Sequence, residues 1–466
     1  VYKRQRLTGP RSMALPERDA TTVVDEDGDW PNPVYSWYVV AVLMLAYTNS
    51  FIDRQILNLL IEPIRADLEI SDTQVSLLAG FAFAIFYTLM GVPIARLADQ
   101  KNRKVIITTG IIVWSAMTAL CGAARNFWHL FFARVGVGVG EATLSPAAFS
   151  IMADYFPKNK LARAFSVYSM GVYFGAGLAM IIGGFVIRLV ESAGAVTLPI
   201  VGEMQAWQVT FVYVGLLGLP IVLLMLTVRE PLRRGLKSKG LPQTENASSL
   251  PVLLAFLRLN RATVLLHFFA FATIGIGILG FMTWTPTLFI RTWGWQASEI
   301  GLAYGIIMFV LGTSGVYAGG FVADWLESRG HKDAILRAAC YAGIVTIPFA
   351  VATPLMPTPE LALFMLGITS FLLAFPQGLP AAALQVITPN PLRAQMTALY
   401  FLVGSLISMG FGPTIVALVT DYVFGDPMKL QYSRAVVSAT MIPLGVTLAF
   451  LSLKPYRASR ERADNG

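Results

Sequence analysis

Long apolar runs alternate with short polar connections along the 466 residues of this chain. Each run is bounded by charged residues or proline and is about as long as the roughly 20 residues that a helix needs to cross a bilayer. The runs lack the period-two alternation of barrel strands, so they predict helices. We predict twelve spans, numbered in chain order: 37–65, 73–98, 104–124, 128–153, 161–190, 207–228, 262–290, 298–323, 334–353, 360–386, 394–420 and 432–453.

The composition supports a membrane protein, with 55% hydrophobic and 13% charged residues and a mean hydropathy of +0.63. A soluble domain carries about a quarter charged residues, so this chain has too few to coat a water-exposed surface. Cys121 and Cys340 lie in separate apolar runs, which predicts neither a disulfide framework nor a metal cluster. We expect no cofactor and no metal ion.

The positive charges predict the orientation. The net charge is +8, but Lys and Arg lie in short connections and not on a soluble basic face, which argues against nucleic-acid binding. Most of these residues fall on the side that holds both termini. The opposite side holds only Arg65, Arg125, Arg188, Arg291, Lys429 and Arg434. Cytoplasmic loops carry the excess of Lys and Arg, so we expect cytoplasmic termini and a multi-pass protein of the cell inner membrane.

One long basic connection divides the chain into two halves. We predict a cytoplasmic tail at 1–36, a six-helix bundle at 37–228, a linker at 229–261, a second six-helix bundle at 262–453 and a tail at 454–466. Residues 1–12 precede the first methionine and are expected to be an addition to the natural chain.

The two halves repeat short motifs at equivalent places. Asp99 and Asp324 end spans 2 and 8, and Pro146-Ala-Ala in span 4 matches Pro380-Ala-Ala in span 10. The fold class predicted is therefore all-α, with twelve transmembrane helices in two bundles related by a pseudo-two-fold axis. A substrate site is expected between the bundles at mid-depth.

The stretch Ala95-Arg-Leu-Ala-Asp-Gln-Lys-Asn-Arg-Lys104 resembles the loop between spans 2 and 3 of the major facilitator superfamily. Asn49-Ser-Phe-Ile-Asp-Arg54, the start of span 2 from Ser71 to Phe81, and Arg134-Val-Gly-Val-Gly-Val-Gly-Glu-Ala142 are similar to its Spinster-like branch. The resemblance implies a secondary transporter that works by alternating access. It also implies that Asp99, Arg103 and Asp324 help to close the inner side. Animal members are linked to lysolipids and sphingosine phosphate, which suggests an amphipathic anion as substrate.

Four ionisable residues lie well inside spans: Asp53, Arg54, Arg134 and Glu141. Such groups cost at least a few kcal/mol in a membrane and are usually kept for function. At a rise of 1.5 Å per residue, Asp53, Arg54 and Arg134 share a depth, and Glu141 lies about 10 Å deeper. We expect Arg54 and Arg134 to bind a phosphate or carboxylate, because the guanidinium fork suits bidentate contact. Glu141 is favoured as the proton carrier, with Asp53 as the partner of the arginines.

The alternative is a purely structural role, in which these residues form a salt-bridge cluster that only holds spans 1 and 4 together. Spans 7 and 10, the counterparts of spans 1 and 4, have no charged residue in their interiors, and a general lock would recur there. The second half offers instead an apolar wall that suits an amphipathic anion, although ordinary packing explains each aromatic singly. The wall consists of Phe268, Phe269, Phe271, Phe281, Trp284, Phe371 and Phe375. His267 is expected to be packed or hydrogen-bonded.

Other functions remain open. A proton-coupled carrier of small organic anions, such as sugar acids or carboxylates, fits the same charges. A non-transporting membrane receptor is a weaker alternative. An enzyme is not expected, because the chain has no zinc-protease motif and no Gly-x-Ser-x-Gly sequence. The expected partners are the bilayer, protons and an anionic or lipid-like substrate, and the expected state is a monomer.

The predicted orientation places Lys101 and Lys237 in the cytoplasm. In a background lacking Cys121 and Cys340, Lys101→Cys and Lys237→Cys should resist an impermeant thiol reagent in intact cells, because the membrane shields them. Both should react after permeabilisation. Strong labelling of Lys237→Cys in intact cells would overturn the orientation.

Overall fold

A computed structural model describes residues 30–193, 196–198, 202–233, 250–389 and 392–465. All twelve predicted spans are present as helices that are long and apolar enough to cross a membrane, and the fold class is confirmed. In the first half the helices are Pro33–Leu59, Ile61–Leu68, Asp72–Ser76, Leu77–Phe81 (π), Ala82–Gln100, Arg103–Cys121, Phe127–Glu141, Leu144–Tyr155, Lys158–Ser169, Gly171–Ala193, Ala206–Leu216 and Gly218–Thr227. In the second half they are Leu250–Leu259, Arg261–Trp293, Ala297–Ile307, Met308–Gly312 (π), Thr313–Ser328, Ala334–Ala352, Thr353–Leu355 (3₁₀), Pro359–Ala374, Leu379–Ile387, Arg393–Leu418, Val419–Phe424 (π), Pro427–Lys429 (3₁₀) and Leu430–Asn465.

Three features were not predicted. Strands Val196–Leu198 and Gly202–Met204 pair in antiparallel fashion between spans 5 and 6. Helix Leu250–Leu259 occupies part of the predicted linker, and the last helix continues to Asn465 through the predicted tail. Residues 1–29 and 234–249, which hold most of the predicted N-terminal tail and the middle of the predicted linker, lie outside the described residues. The predicted domain boundaries therefore stay a prediction.

The outer surface of the bundles is apolar. Large side chains such as Phe132, Phe185, Leu223 and Phe364 are exposed along the spans. In water such a surface would aggregate, whereas in a bilayer it faces acyl chains. The polar groups that matter for function are consequently found among the buried residues.

Spans 4 and 10 are both interrupted at mid-length. Span 4 breaks between Glu141 and Leu144, and span 10 breaks between Ala374 and Leu379. Each break precedes a repeated Pro-Ala-Ala, and proline is tolerated in the first turn of a helix but not in its interior. The structure therefore shows the predicted repeat as a shared break, which places Glu141 at the end of a helical segment.

Spans 5 and 8 join the two bundles along a seam of glycines. A Cβ on Gly301 would lie 2.6 Å from the carbonyl oxygen of Met180, and one on Gly184 would lie 3.0 Å from the Cα of Ser298. Small residues allow such close backbone approach between membrane helices. The seam thus depends on glycine at these positions.

An ion-pair network, here called the latch, joins the bundles on the side opposite the termini. It consists of Arg291 at the end of span 7, Asp72 at the start of span 2, and Glu62 and Arg65 between spans 1 and 2. Arg291 donates from Nη1 and Nη2 to both carboxylate oxygens of Asp72 at 2.6 and 2.7 Å, and from Nε to Glu62 at 2.8 Å. Arg65 approaches Asp72 at 3.1 Å. With cytoplasmic termini, the latch closes the outer side.

Removal of one partner from a buried ion pair costs about 3–5 kcal/mol. Arg291→Gln should therefore favour opening of the latched side. A reporter cysteine at Ser298, placed in the seam and in a background lacking Cys121 and Cys340, should react with an impermeant thiol reagent about tenfold faster or more. The matched control is Arg337→Gln, because Arg337 pairs with Asp333 at the start of its own span. An unchanged reporter rate in Arg291→Gln would show that the latch does not hold this side closed.

Candidate functional site

The four predicted ionisable residues form one group, here called the charge cluster. Asp53 and Arg54 come from span 1, and Arg134 and Glu141 come from span 4. Asp53, Arg134 and Glu141 are at most 1% exposed, whereas the side chain of Arg54 is 12% exposed. Arg54 is therefore the member of the cluster that an entering ligand can reach first.

Glu141 pairs with Arg54. The Nε atom of Arg54 lies 2.5 Å from Oε2 of Glu141, and the hydroxyl of Ser50 donates to the same oxygen at 2.6 Å. The other oxygen, Oε1, has no hydrogen-bond partner within the described part of the chain. One oxygen thus carries both bonds, which leaves the second oxygen able to hold a proton.

Arg134 has neutral partners. Its Nη1 donates to the backbone carbonyl of Asp53 at 3.1 Å, and its Nε donates to that of Leu78 at 3.4 Å. Among the described residues no carboxylate lies within ion-pair distance of this guanidinium. A buried cation without a counter-charge is costly, and a bound anion would relieve that cost.

The structure reverses the predicted pairing of the two carboxylates. Asp53 was expected to partner the arginines and Glu141 to be free, but Oδ1 of Asp53 has no partner among the described residues, and Oδ2 accepts only from Asn49 at 3.4 Å. Neighbouring residues point about 100° apart around a helix, so Asp53 and Arg54 face different surroundings. The long side chain of Arg54 reaches Glu141 on span 4.

Three aromatic rings surround the guanidinium of Arg54, and we call them the aromatic cage. Its Cζ lies 4.8, 4.6 and 4.7 Å from the ring centroids of Phe51, Phe83 and Tyr87. The same ring of Phe83 lies 5.7 Å from Cζ of Arg134. The cage was not predicted from the sequence. The spacing of Phe51 to Arg54 and of Phe83 to Tyr87 does place each pair on one helix face.

Gly138 allows span 4 to approach the cage. A Cβ at this position would lie 2.8 Å from the carbonyl oxygen of Phe83. Glycine therefore lets the backbones of spans 2 and 4 meet, and this contact places the ring of Phe83 near both arginines.

Of the predicted gating residues, the structure describes the side chains of Arg103 and Asp324. Arg103 is buried and bonds to Asp154 and, at 2.7 Å, to Glu230, which ties spans 3 and 4 to the end of span 6 within one bundle. Asp324 is exposed on span 8. The backbone of Asp99 lies in helix Ala82–Gln100, and its side chain is outside those described. Their gating role stays a prediction.

The proposed apolar wall is largely internal packing. Phe268, Phe271, Phe281 and Trp284 are buried. Trp284 donates to the carbonyl of Pro413 at 2.9 Å, which joins spans 7 and 11 of the same bundle. The structure thus favours packing for these four aromatics.

His267 and Arg434 are two buried polar residues of the second half. His267 is packed and hydrogen-bonded as expected, with Nε2 3.1 Å from the carbonyl of Pro380. Arg434 was predicted to lie on the outer side, at the start of span 12. It is buried there and donates to the carbonyl of Phe281 and the hydroxyl of Thr285 at 3.2 and 3.0 Å.

Twelve spans in this fold define a membrane transporter and not an enzyme. The chain belongs to the Major Facilitator Superfamily, which it matches over residues 43–413.

Several relatives and one solved structure are similar over most of their length. An MFS-type efflux pump of Mycolicibacterium smegmatis is 26% identical over 93% of this chain and 96% of its own. A hexuronate transporter of Bacillus subtilis is 25% identical over 82% and 87%. Protein spinster homolog 1 of Xenopus tropicalis is 26% identical over 88% and 78%. The crystal structure of a bacterial homolog of the human lysosomal transporter Spinster, inward-facing and unoccupied, is 26% identical with a TM-score of 0.77, covering 92% and 98%. The resemblance to the Spinster-like branch is confirmed.

Proposed function

We propose that this protein is a secondary carrier that moves an organic anion by alternating access and couples the movement to protons. The observation that carries the proposal is the buried ion pair of Arg54 with Glu141, beside Arg134, which has no carboxylate partner among the described residues. We further propose that it acts as a monomer in the inner membrane.

The charge cluster supports a simple exchange of partners. An anion that reaches Arg54 competes with Glu141 for the guanidinium and gains Arg134 as a second contact. Glu141 then loses its counter-charge while it remains buried, and an unpaired buried carboxylate is strongly disfavoured. Uptake of a proton by Glu141 relieves this cost, so binding of the anion and uptake of the proton are linked. Asp53, which is buried and has no ion pair within the described part of the chain, is the alternative proton site.

The latch supports alternating access. It holds one side closed by ion pairs between the bundles, and such contacts can exchange with contacts on the other side. The similar solved structure is described as inward-facing, which agrees with a closed outer side if the termini are cytoplasmic.

Two substrate classes remain as proposals. An amphipathic anion, such as a lysolipid or a sphingoid phosphate, follows from the Spinster-like resemblance. Sugar acids are favoured by the names of two relatives, the hexuronate transporter and a probable L-galactonate transporter of Escherichia coli, 23% identical over 92% of this chain. The internal packing of four of the wall aromatics removes part of the argument for a lipid tail. Both classes present the anion that the arginines require.

Arg134→Ala should weaken anion binding. Loss of one partner of a buried charge contact costs about 2–5 kcal/mol, which is roughly 30-fold or more in affinity. Arg134→Lys should rescue binding only in part, because an ammonium lacks the planar fork. Binding of glucuronate and of oleoyl-lysophosphatidate to purified protein measures the effect, and the probe that binds also identifies the substrate class. A folded Arg134→Ala protein with wild-type affinity would make Arg134 structural.

Glu141→Gln should separate exchange from coupling. Glutamine mimics the protonated carboxyl group, so the variant should exchange substrate across a vesicle membrane yet lose uptake driven by a pH gradient. Asp53→Asn should impair both, and serves as the comparison. Exchange and gradient-driven uptake are measured in the same vesicles. A Glu141→Gln protein that still concentrates substrate would remove Glu141 from the coupling mechanism.

A further inference from the structure

Arg54 faces an energetic problem that the ion pair alone does not solve. It lies inside a span, and its carboxylate partner is the group that the proposed function requires to become neutral or to change partner. Removal of one member of a buried ion pair is strongly destabilising, because the other charge stays buried without compensation. Some second interaction must keep the guanidinium in the membrane interior during that step.

The aromatic cage has the geometry for this second interaction. A guanidinium within about 6 Å of a ring centroid is attracted by the ring quadrupole, and the attraction grows when the cation is desolvated. All three rings meet this distance, and they come from two elements, Phe51 from span 1 and Phe83 with Tyr87 from span 2. The three rings together surround the guanidinium from two helices while leaving 12% of the side chain exposed.

Phe83 holds a special place in the cage. It is 1% exposed, and its ring lies 4.6 Å from Cζ of Arg54 and 5.7 Å from Cζ of Arg134. The ring of Phe83 is thus within cation–π distance of both guanidinium groups. Its backbone is fixed by the close approach of Gly138 on span 4.

We propose that the aromatic cage, and Phe83 above all, is a positioning device that retains Arg54 inside the protein while Glu141 is neutral or displaced. The rings make the ion pair exchangeable, because the arginine keeps a favourable partner in every state of the carboxyl group. This inference rests on the proposed role of Glu141, but the experiment below needs neither a substrate nor proton transport.

The test is a stability cycle with pentafluorophenylalanine introduced at position 83. Fluorination keeps nearly the same shape and reverses the ring quadrupole, so the protein should still fold. The change in the unfolding equilibrium constant is measured in detergent in three backgrounds: wild type, Glu141→Gln, and Arg54→Leu combined with Glu141→Gln. We expect the effect of fluorination to be roughly tenfold larger in Glu141→Gln than in the double variant, with the wild type between them. The interaction of the Phe83 ring with Arg134 is present in all three backgrounds, so it cancels when the effects of fluorination are compared.

The matched control is the same replacement at Phe211, a buried ring of the same bundle that packs edge-on against Trp207. Its effect should be equal in the three backgrounds. Equal effects of fluorination at position 83 in all three backgrounds would overturn the proposal, whether or not the protein transports anions.

Discussion

The buried ion pair between Arg54 and Glu141 is the interaction on which the rest of the site depends. In the membrane interior neither charge can be hydrated, so each needs a partner in place. The break in span 4 puts Glu141 at a helix end, and Ser50, one turn from Arg54, supplies a second donor. Gly138 brings span 2 close enough for Phe83 to cover the guanidinium. Each of these local features makes the same pair possible.

The latch lies next in the chain to the helices that carry Arg54 and its aromatic cage. Span 1 carries Arg54 and ends at Leu59, just before Glu62, while span 2 starts at the latch residue Asp72 and carries Phe83 two helical segments further on. Helices transmit displacement because their backbone bonds hold them as rigid elements, and a two-state contact at one end biases the position of the other. A change of partner at Arg54 is therefore expected to act on the latch residues that follow span 1.

The spans, the internal repeat and the members of the charge cluster could be predicted from the sequence. A charged residue inside a long apolar run can be recognised from its position in the chain alone. The sequence was not sufficient for the pairing. The depth along a helix predicts where the Cα of Glu141 lies. It does not predict that the flexible side chain of Arg54 pairs with Glu141 and not with Asp53. The latch was missed for a different reason. Asp72 and Arg291 lie 219 residues apart in loops and helix ends where charges are ordinary, and only the meeting of the bundles buries them. The cage was not predicted, because the spans contain many aromatic residues and the sequence does not distinguish these three from the others.

The two bundles use the same geometry for different purposes. In the first, a side chain from span 1 holds the broken span 4 through the ion pair of Arg54 with Glu141. In the second, His267 of span 7 holds the broken span 10 through the carbonyl of Pro380. A backbone carbonyl cannot take up a proton at ordinary pH or leave for another partner at little cost, so that bond fixes the second bundle. A carboxylate can do both. Of these two contacts, only the ion pair of the first bundle can therefore change both its protonation and its partner.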